Sequence, residues 1–65
     1  MSDRLQEGLK ELIKNAQEAG LPPTWRNLEG AVRALADRLG EKLTDYSLIG
    51  AFNVARREVE SADSA

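Results

Sequence analysis

The side chains that most enzymes use for acid–base or metal chemistry are scarce in this sequence. Its 65 residues include neither histidine nor cysteine, so the commonest general base, the commonest metal ligand and the thiolate nucleophile are all missing. Two carboxylate pairs four residues apart, Glu7 with Glu11 and Asp37 with Glu41, have a spacing that could chelate a hard cation or share a proton. Carboxylate metal sites in helical bundles, in contrast, place a histidine three residues after a glutamate. We interpret both pairs as solvated surface charges and predict no metal site and no cofactor.

The segment Asp45-Tyr46-Ser47 is the other place where the residue types suggest chemistry. A serine needs an adjacent base to become a nucleophile, and this serine falls where the first turn of a helix is expected. The sequence also contains neither of the glycine-rich phosphate-binding motifs, G-x-x-x-x-G-K-[ST] and G-x-G-x-x-G. We therefore predict no catalytic residue and expect that the protein is not an enzyme.

Three amphipathic stripes account for most of the chain. Apolar residues recur at intervals of three and four, which places each set on one side of a helix. The sequence predicts an all-α fold, a small three-helix bundle with short loops, whose helices span about residues 3–19, 25–39 and 45–61. Residues 1–61 are expected to form a single domain and residues 62–65 a frayed tail. The stripes are Leu5–Leu9–Leu12–Ile13–Ala16, Leu28–Val32–Leu35–Leu39 and Leu48–Phe52–Ala55–Val59.

Glycines and threonines mark where the predicted helices end and begin. Gly20 and Gly40 can adopt the left-handed conformation that terminates a helix. Thr24 is expected to cap the second helix, because its hydroxyl can accept a hydrogen bond from a free backbone N–H. Thr44 or Asp45 is expected to cap the third helix in the same way.

Other residues have expected positions at the ends of the bundle. Ser2 or Asp3 is predicted to cap the first helix, and Asp3 with Gln6 has the spacing of a capping box. Trp25 lies at the edge of the second stripe and should cover one end of the core, with its indole N–H near water. Leu43, in the second loop, is expected to plug the core from below.

The composition limits the compartments and partners that we consider. Nine basic and eleven acidic residues give a net charge of −2, so the strongly basic footprint of many nucleic-acid-binding proteins is missing. The first residues lead directly into a helical pattern with no apolar segment ahead of it, and we expect no signal peptide. No apolar run approaches the length of a membrane span. We expect a cytoplasmic protein that does not bind membranes.

One alternative function is DNA binding by the second and third helices. The segment Ala36-Asp37-Arg38-Leu39-Gly40, followed by Ile49, resembles the helix-turn-helix motif in its small residue, its turn glycine and its later apolar residue. The motif implies a recognition helix that enters the major groove of DNA. The sequence departs from it at Glu41, where an apolar residue is usual, and at Asp45, where basic or amide groups are expected. Residues 25–60 contain six basic and six acidic residues, so this segment has no excess positive charge to attract phosphates.

The third helix has more apolar and small residues than one core stripe needs. Tyr46, Gly50 and Val54 form a second row, four residues apart, opposite the core stripe. Gly30 and Ala34 form a shorter row on the second helix. A glycine inside a helix costs about 1 kcal/mol relative to alanine, so something should pack closely against Gly30 and Gly50. Either the two glycines face each other inside the bundle, or they belong to a surface where a partner docks.

We hypothesise that the protein is a small non-catalytic interaction, adaptor or regulatory module. Its helical surface is expected to bind a protein, with a second copy of the chain as one candidate partner. The helix-turn-helix alternative would make the partner DNA instead. The residues predicted to bind the partner are Tyr46, Gly50, Asn53, Val54 and Arg57.

Overall fold

The computed structural model describes residues 3–63, which form three α-helices that all contact one another. The helix α1 spans Asp3–Glu18, α2 spans Trp25–Arg38 and α3 spans Asp45–Asp63. The predicted all-α three-helix bundle is confirmed. The helix α3 continues two residues beyond its predicted end at residue 61, and the last two residues of the predicted tail lie outside the described part of the chain. None of the described helices combines the length and apolar character that crossing a membrane requires.

The first two helices end in the same hydrogen-bonded arrangement. At the end of α1, the Leu21 N–H donates to the Ala16 carbonyl at 2.8 Å and the Gly20 N–H donates to the Gln17 carbonyl at 3.1 Å. These two bonds define a Schellman motif, and they require the left-handed backbone of Gly20, whose φ is 78°. Gly40 repeats the arrangement at the end of α2 with a φ of 72°. Both glycines therefore terminate their helices as predicted, and each helix ends one residue before its predicted end at 19 or 39.

Threonine hydroxyls cap the starts of α2 and α3. The Thr24 hydroxyl accepts a hydrogen bond from the Asn27 N–H, and the Thr44 hydroxyl accepts one from the Ser47 N–H, each at 3.2 Å. Each bond satisfies a backbone donor that has no partner inside the helix. Of the two candidate caps for α3, Thr44 is therefore the correct one, and Asp45 is the first residue of the helix.

The predicted capping box at the start of α1 is wrong. Asp3 lies within α1, whereas the motif requires this residue to precede the helix. The Gln6 side-chain amide instead donates to the Ala51 carbonyl in α3, at 3.1 Å. Ser2, the other predicted cap, lies outside the described residues. Gln6, which was assigned to a local capping motif, therefore makes a contact between helices instead.

Of the two residues predicted to cover the ends of the core, Trp25 does so and Leu43 does not. Trp25 is half-buried and meets Phe52 edge-on, with ring centroids 5.7 Å apart and planes inclined by 64°, a favourable arrangement for two aromatic rings. Leu43 was expected to plug the core but is 36% exposed. Its loop runs over the surface at the start of α3, where Leu48 supplies the buried apolar side chain instead.

The core is built mostly from the predicted stripes, of which only Leu12 and Leu39 are half-buried, and it also includes Ala36 and Ala51. Phe52 is the largest side chain with no exposed surface, and it lies in the middle of the buried side of α3. The only described glycine whose missing side chain is needed for packing is Gly8, where a Cβ would lie 2.7 Å from Leu35 Cδ2. A side chain at position 8 would therefore displace the Leu35 side chain of α2. The buried core residues are Leu5, Leu9, Ile13, Ala16, Leu28, Val32, Leu35, Ala36, Leu48, Ala51, Phe52, Ala55 and Val59.

Replacing Phe52 with alanine should unfold most of the protein, whereas replacing Tyr46 should not. Loss of a fully buried phenylalanine costs about 3–5 kcal/mol, which is comparable to the whole stability expected of a domain of this size, roughly 3–5 kcal/mol. Tyr46 is 88% exposed, so Tyr46→Ala should leave a cooperative transition near that of the wild type. Urea unfolding followed by circular dichroism measures both variants. A folded, cooperative Phe52→Ala would contradict the assigned core.

Candidate functional site

The two sides of α3 differ in what they contact. One side carries five of the buried core residues, and the opposite side faces outward. On the outward side, Tyr46, Gly50, Asn53 and Arg57 are exposed, and Val54 is half-buried at its edge. These five residues, which we call the outer face of α3, are the residues predicted from the sequence to bind a partner. The structure brings them together along one ridge of a single helix.

Tyr46 is the most exposed large hydrophobic residue in the described part of the chain. The residue is 88% exposed, compared with 43% for Leu21 and 36% for Leu43. Tyrosine offers a large apolar ring and a hydroxyl with only two side-chain torsions to order, which is why it is enriched where proteins bind one another. Phe52 is fully buried and Trp25 is half-buried, whereas Tyr46 contributes nothing to the core.

Gly50 and Gly30 do not pack against each other. A Cβ built on either residue would have no neighbouring atom within 4 Å among the described residues. The hypothesis that these glycines meet inside the bundle is therefore wrong. Each leaves a flat, open position on an exposed helix surface, and neither contributes an internal contact that would offset the conformational entropy that a helical glycine loses.

Sequence reasoning missed Gly8, which does have an internal role. Its signal is its place in the first stripe, three residues after Leu5 and four before Leu12. A glycine at such a position faces a neighbouring helix, whereas Gly30 and Gly50 lie outside the core stripes. Position relative to the stripe therefore separates a packing glycine from a surface glycine.

Charge is distributed unevenly along α3. Residues 46–55 form the longest uncharged stretch in the sequence. Asp45 precedes this stretch, and Arg56 and Arg57 follow it. The Arg56 guanidinium lies 3.4 Å from the Glu60 carboxylate, whereas Arg57 has no ion pair within 4.0 Å among the side chains that the structure describes. The middle of α3 is thus uncharged, while Asp45 at its start is paired with Arg33 of α2 and Arg56 near its end is paired with Glu60.

An ion-pair cluster holds the start of α3 against α2. The Arg33 guanidinium contacts the Glu29 carboxylate at 2.8 Å and also bonds the Asp45 carboxylate. The Arg33 hydrogen bond and positive charge lower the pKa of Asp45 below its ordinary value, and the two carboxylates raise the pKa of Arg33. All three side chains are substantially exposed, so the cluster orients the helix start more than it stabilises the fold.

The other candidate groups lie apart from the outer face. Glu7 contacts Lys10 at 3.1 Å, and Lys10 also contacts Glu58 at 3.3 Å, which ties α1 to α3. Among the side chains that the structure describes, no three His, Cys, Asp or Glu residues gather as a metal site would require. A shallow depression crosses the last part of the outer face and is lined by Asn53, Arg56, Arg57 and Glu60.

Alanine substitutions at the three helical glycines should divide them into two classes. Gly50→Ala and Gly30→Ala should each raise the free energy of unfolding by about 0.5–1 kcal/mol, because alanine is the better helix former and space is open at both positions. Gly8→Ala should gain less or lose stability, because its Cβ would meet the buried Leu35 side chain. Urea unfolding of the three variants tests this order. A marked loss in Gly50→Ala would place that residue in an internal contact.

The Asp45–Arg33 contact predicts a specific change in acid stability. Because the pKa of Asp45 is lower in the folded state than its ordinary value of 3.8, its contribution is complete above about pH 5 and is lost as the pH falls through the folded-state pKa. Asp45→Asn should therefore be less stable than the wild type at neutral pH, and the difference should vanish near pH 2. Asp37→Asn is a matched control, since Asp37 has no ion pair within 4.0 Å in the described part of the chain. An equal difference at all pH values would contradict this role of Asp45. Thermal unfolding from pH 2 to pH 7 measures it.

Comparison of the chain with protein-family models, with curated proteins and with solved structures gave no match. The geometry of α3 and the exposure of its outer face are therefore the features that bear on function.

Proposed function

We propose that this chain is a small non-catalytic protein-interaction module that binds its partner through the outer face of α3. The exposure of Tyr46 is the observation that carries the proposal. This residue is 88% exposed and lies at the start of an uncharged helical segment. Since 31% of the residues in this chain are charged, charged side chains are expected on an exposed helix surface. Their absence from residues 46–55 favours a surface that becomes covered. We expect the module to act in the cytoplasm.

The shape of the outer face suits a partner that approaches the helix closely. Gly50 leaves the backbone of α3 accessible, while Tyr46 and Val54 lie one turn before and one turn after it. A flat centre between two larger apolar side chains accepts another helix or an extended segment. Asn53 and Arg57 add hydrogen-bond donors on the same side. Such a mixture of one aromatic anchor with polar neighbours is typical of protein interfaces.

Duplex DNA is a less well supported partner for the same surface. In the helix-turn-helix arrangement, the start of α3 would enter the major groove. Here that start carries Asp45, whose charge opposes phosphate, and Asp45 and Glu29 already hold Arg33. The remaining basic residues of α2 and α3 are matched in number by acidic ones. These charges favour a protein partner over a nucleic acid.

Site-specific photocrosslinking in the source cell tests the proposal. The photoreactive residue p-benzoylphenylalanine would replace Tyr46 and, in a matched control, the exposed Glu11 of α1. We expect a protein adduct with the probe at position 46 and none with the probe at position 11. Equal crosslinking at both positions, or an adduct to nucleic acid at position 46, would contradict the proposed function.

A further inference from the structure

Few side-chain contacts hold the entry segment of α3, as we call residues 41–47, to the rest of the protein. None of its side chains is buried, and the first buried side chain of α3 is that of Leu48. The Thr44 hydroxyl bonds inside the segment, to the N–H and the hydroxyl of Ser47. Among the residues that the structure describes, a single side-chain ion pair joins the entry segment to another element. It is the contact of Asp45 with Arg33 of α2.

Glu29 directs the Arg33 side chain towards the start of α3. The Nε and Nη2 atoms of Arg33 both donate to one carboxylate oxygen of Glu29, at 3.0 and 2.8 Å. The remaining nitrogen, Nη1, donates to Asp45 Oδ1. Because the guanidinium is planar and its donors are fixed relative to one another, the two bonds to Glu29 limit where Nη1 can point. Arg33 is thus oriented from within α2 before it meets Asp45.

We propose that the Arg33–Asp45 contact is a latch that holds the entry segment against α2, and that the segment opens as a local unit when this contact is lost. Segments with few buried contacts and exposed hydrogen bonds open at a lower free energy than the core of a protein. The buried side chain of Leu48 sets the limit of this opening, since the helix beyond it is anchored in the core.

The latch regulates the surface to which we assign binding, because Tyr46 lies in the entry segment. This consequence rests on the proposed function, whereas the latch itself does not. While the segment is closed, the Tyr46 ring has a fixed position one turn before Gly50. Once the segment opens, that position is lost, and the affinity of a partner for the ordered face falls in proportion to the closed fraction. Arg33 is therefore a positioning residue for this surface.

Amide hydrogen exchange of the purified full chain, followed by nuclear magnetic resonance, tests the latch. The Leu48 N–H, which bonds the Thr44 carbonyl at 3.0 Å, reports the opening, and the Ala55 N–H reports the middle of α3. Exposed ion pairs are weak, so Arg33→Gln should speed exchange at Leu48 by about two- to fivefold relative to Ala55. Arg26→Gln is the matched control, because Arg26 is an exposed arginine of α2 with no ion pair among the described side chains. It should leave exchange at Leu48 unchanged.

A double-mutant comparison separates the latch from a local effect of charge at the helix start. Asp45 lies in the first turn of α3, where a carboxylate also interacts favourably with the helix dipole. Asp45→Asn alone therefore removes two interactions. If the latch operates, Asp45→Asn speeds exchange at Leu48 less in the Arg33→Gln protein than in the wild type, because the arginine partner is already missing.

Unchanged exchange at Leu48 in Arg33→Gln would overturn the latch. Equal acceleration at Leu48 and Ala55 would overturn it too, because it would report a loss of global stability rather than a local opening. The same holds for equal effects of Asp45→Asn in the two backgrounds, and for a Leu48 N–H that has no protection in the wild type. These measurements use no partner, so the proposed function is judged separately by the crosslink at position 46.

Discussion

The burial of Phe52 is the interaction on which the rest of the structure depends. Its side chain has no exposed surface and contacts Trp25 edge-on at the end of the core. With only three aromatic residues in the chain, this pair supplies much of the large apolar volume in a core of modest size. Burying Phe52 also fixes the rotation of α3 about its axis. Once that rotation is set, Tyr46, Gly50 and Arg57 must face outward.

The fold was predictable because its signals are local and repeated. The stripes led by Leu5, Leu28 and Leu48 identify the buried sides of the helices, and Gly20 and Gly40 mark the ends of the first two. What failed depended on contacts between distant residues. The Gln6 amide bonds a carbonyl in α3, and this pairing has no signature within one turn of helix. The stripe position of Gly8 indicates that it faces a neighbouring helix, but it does not identify Leu35 of α2 as the contact.

The side of α3 on which the candidate residues lie could be predicted, but the contacts around them could not. Helical periodicity alone placed Tyr46 and Gly50 opposite the core stripe, because both belong to one regular helix. Whether α2 would cover Gly50 depended on how the helices cross, which periodicity does not determine. The contact of Arg33 with Asp45 joins residues twelve apart, and it positions the start of α3 just where Tyr46 projects.

Nuclear Overhauser contacts of the aromatic rings in a dilute sample test the central claim most directly. If the burial of Phe52 fixes the rotation of α3, the Phe52 ring should show cross-peaks to the Trp25 ring of α2, and the Tyr46 ring should show none to α1 or α2. Cross-peaks from Tyr46 to either of those helices, or the absence of cross-peaks between Phe52 and Trp25, would contradict it.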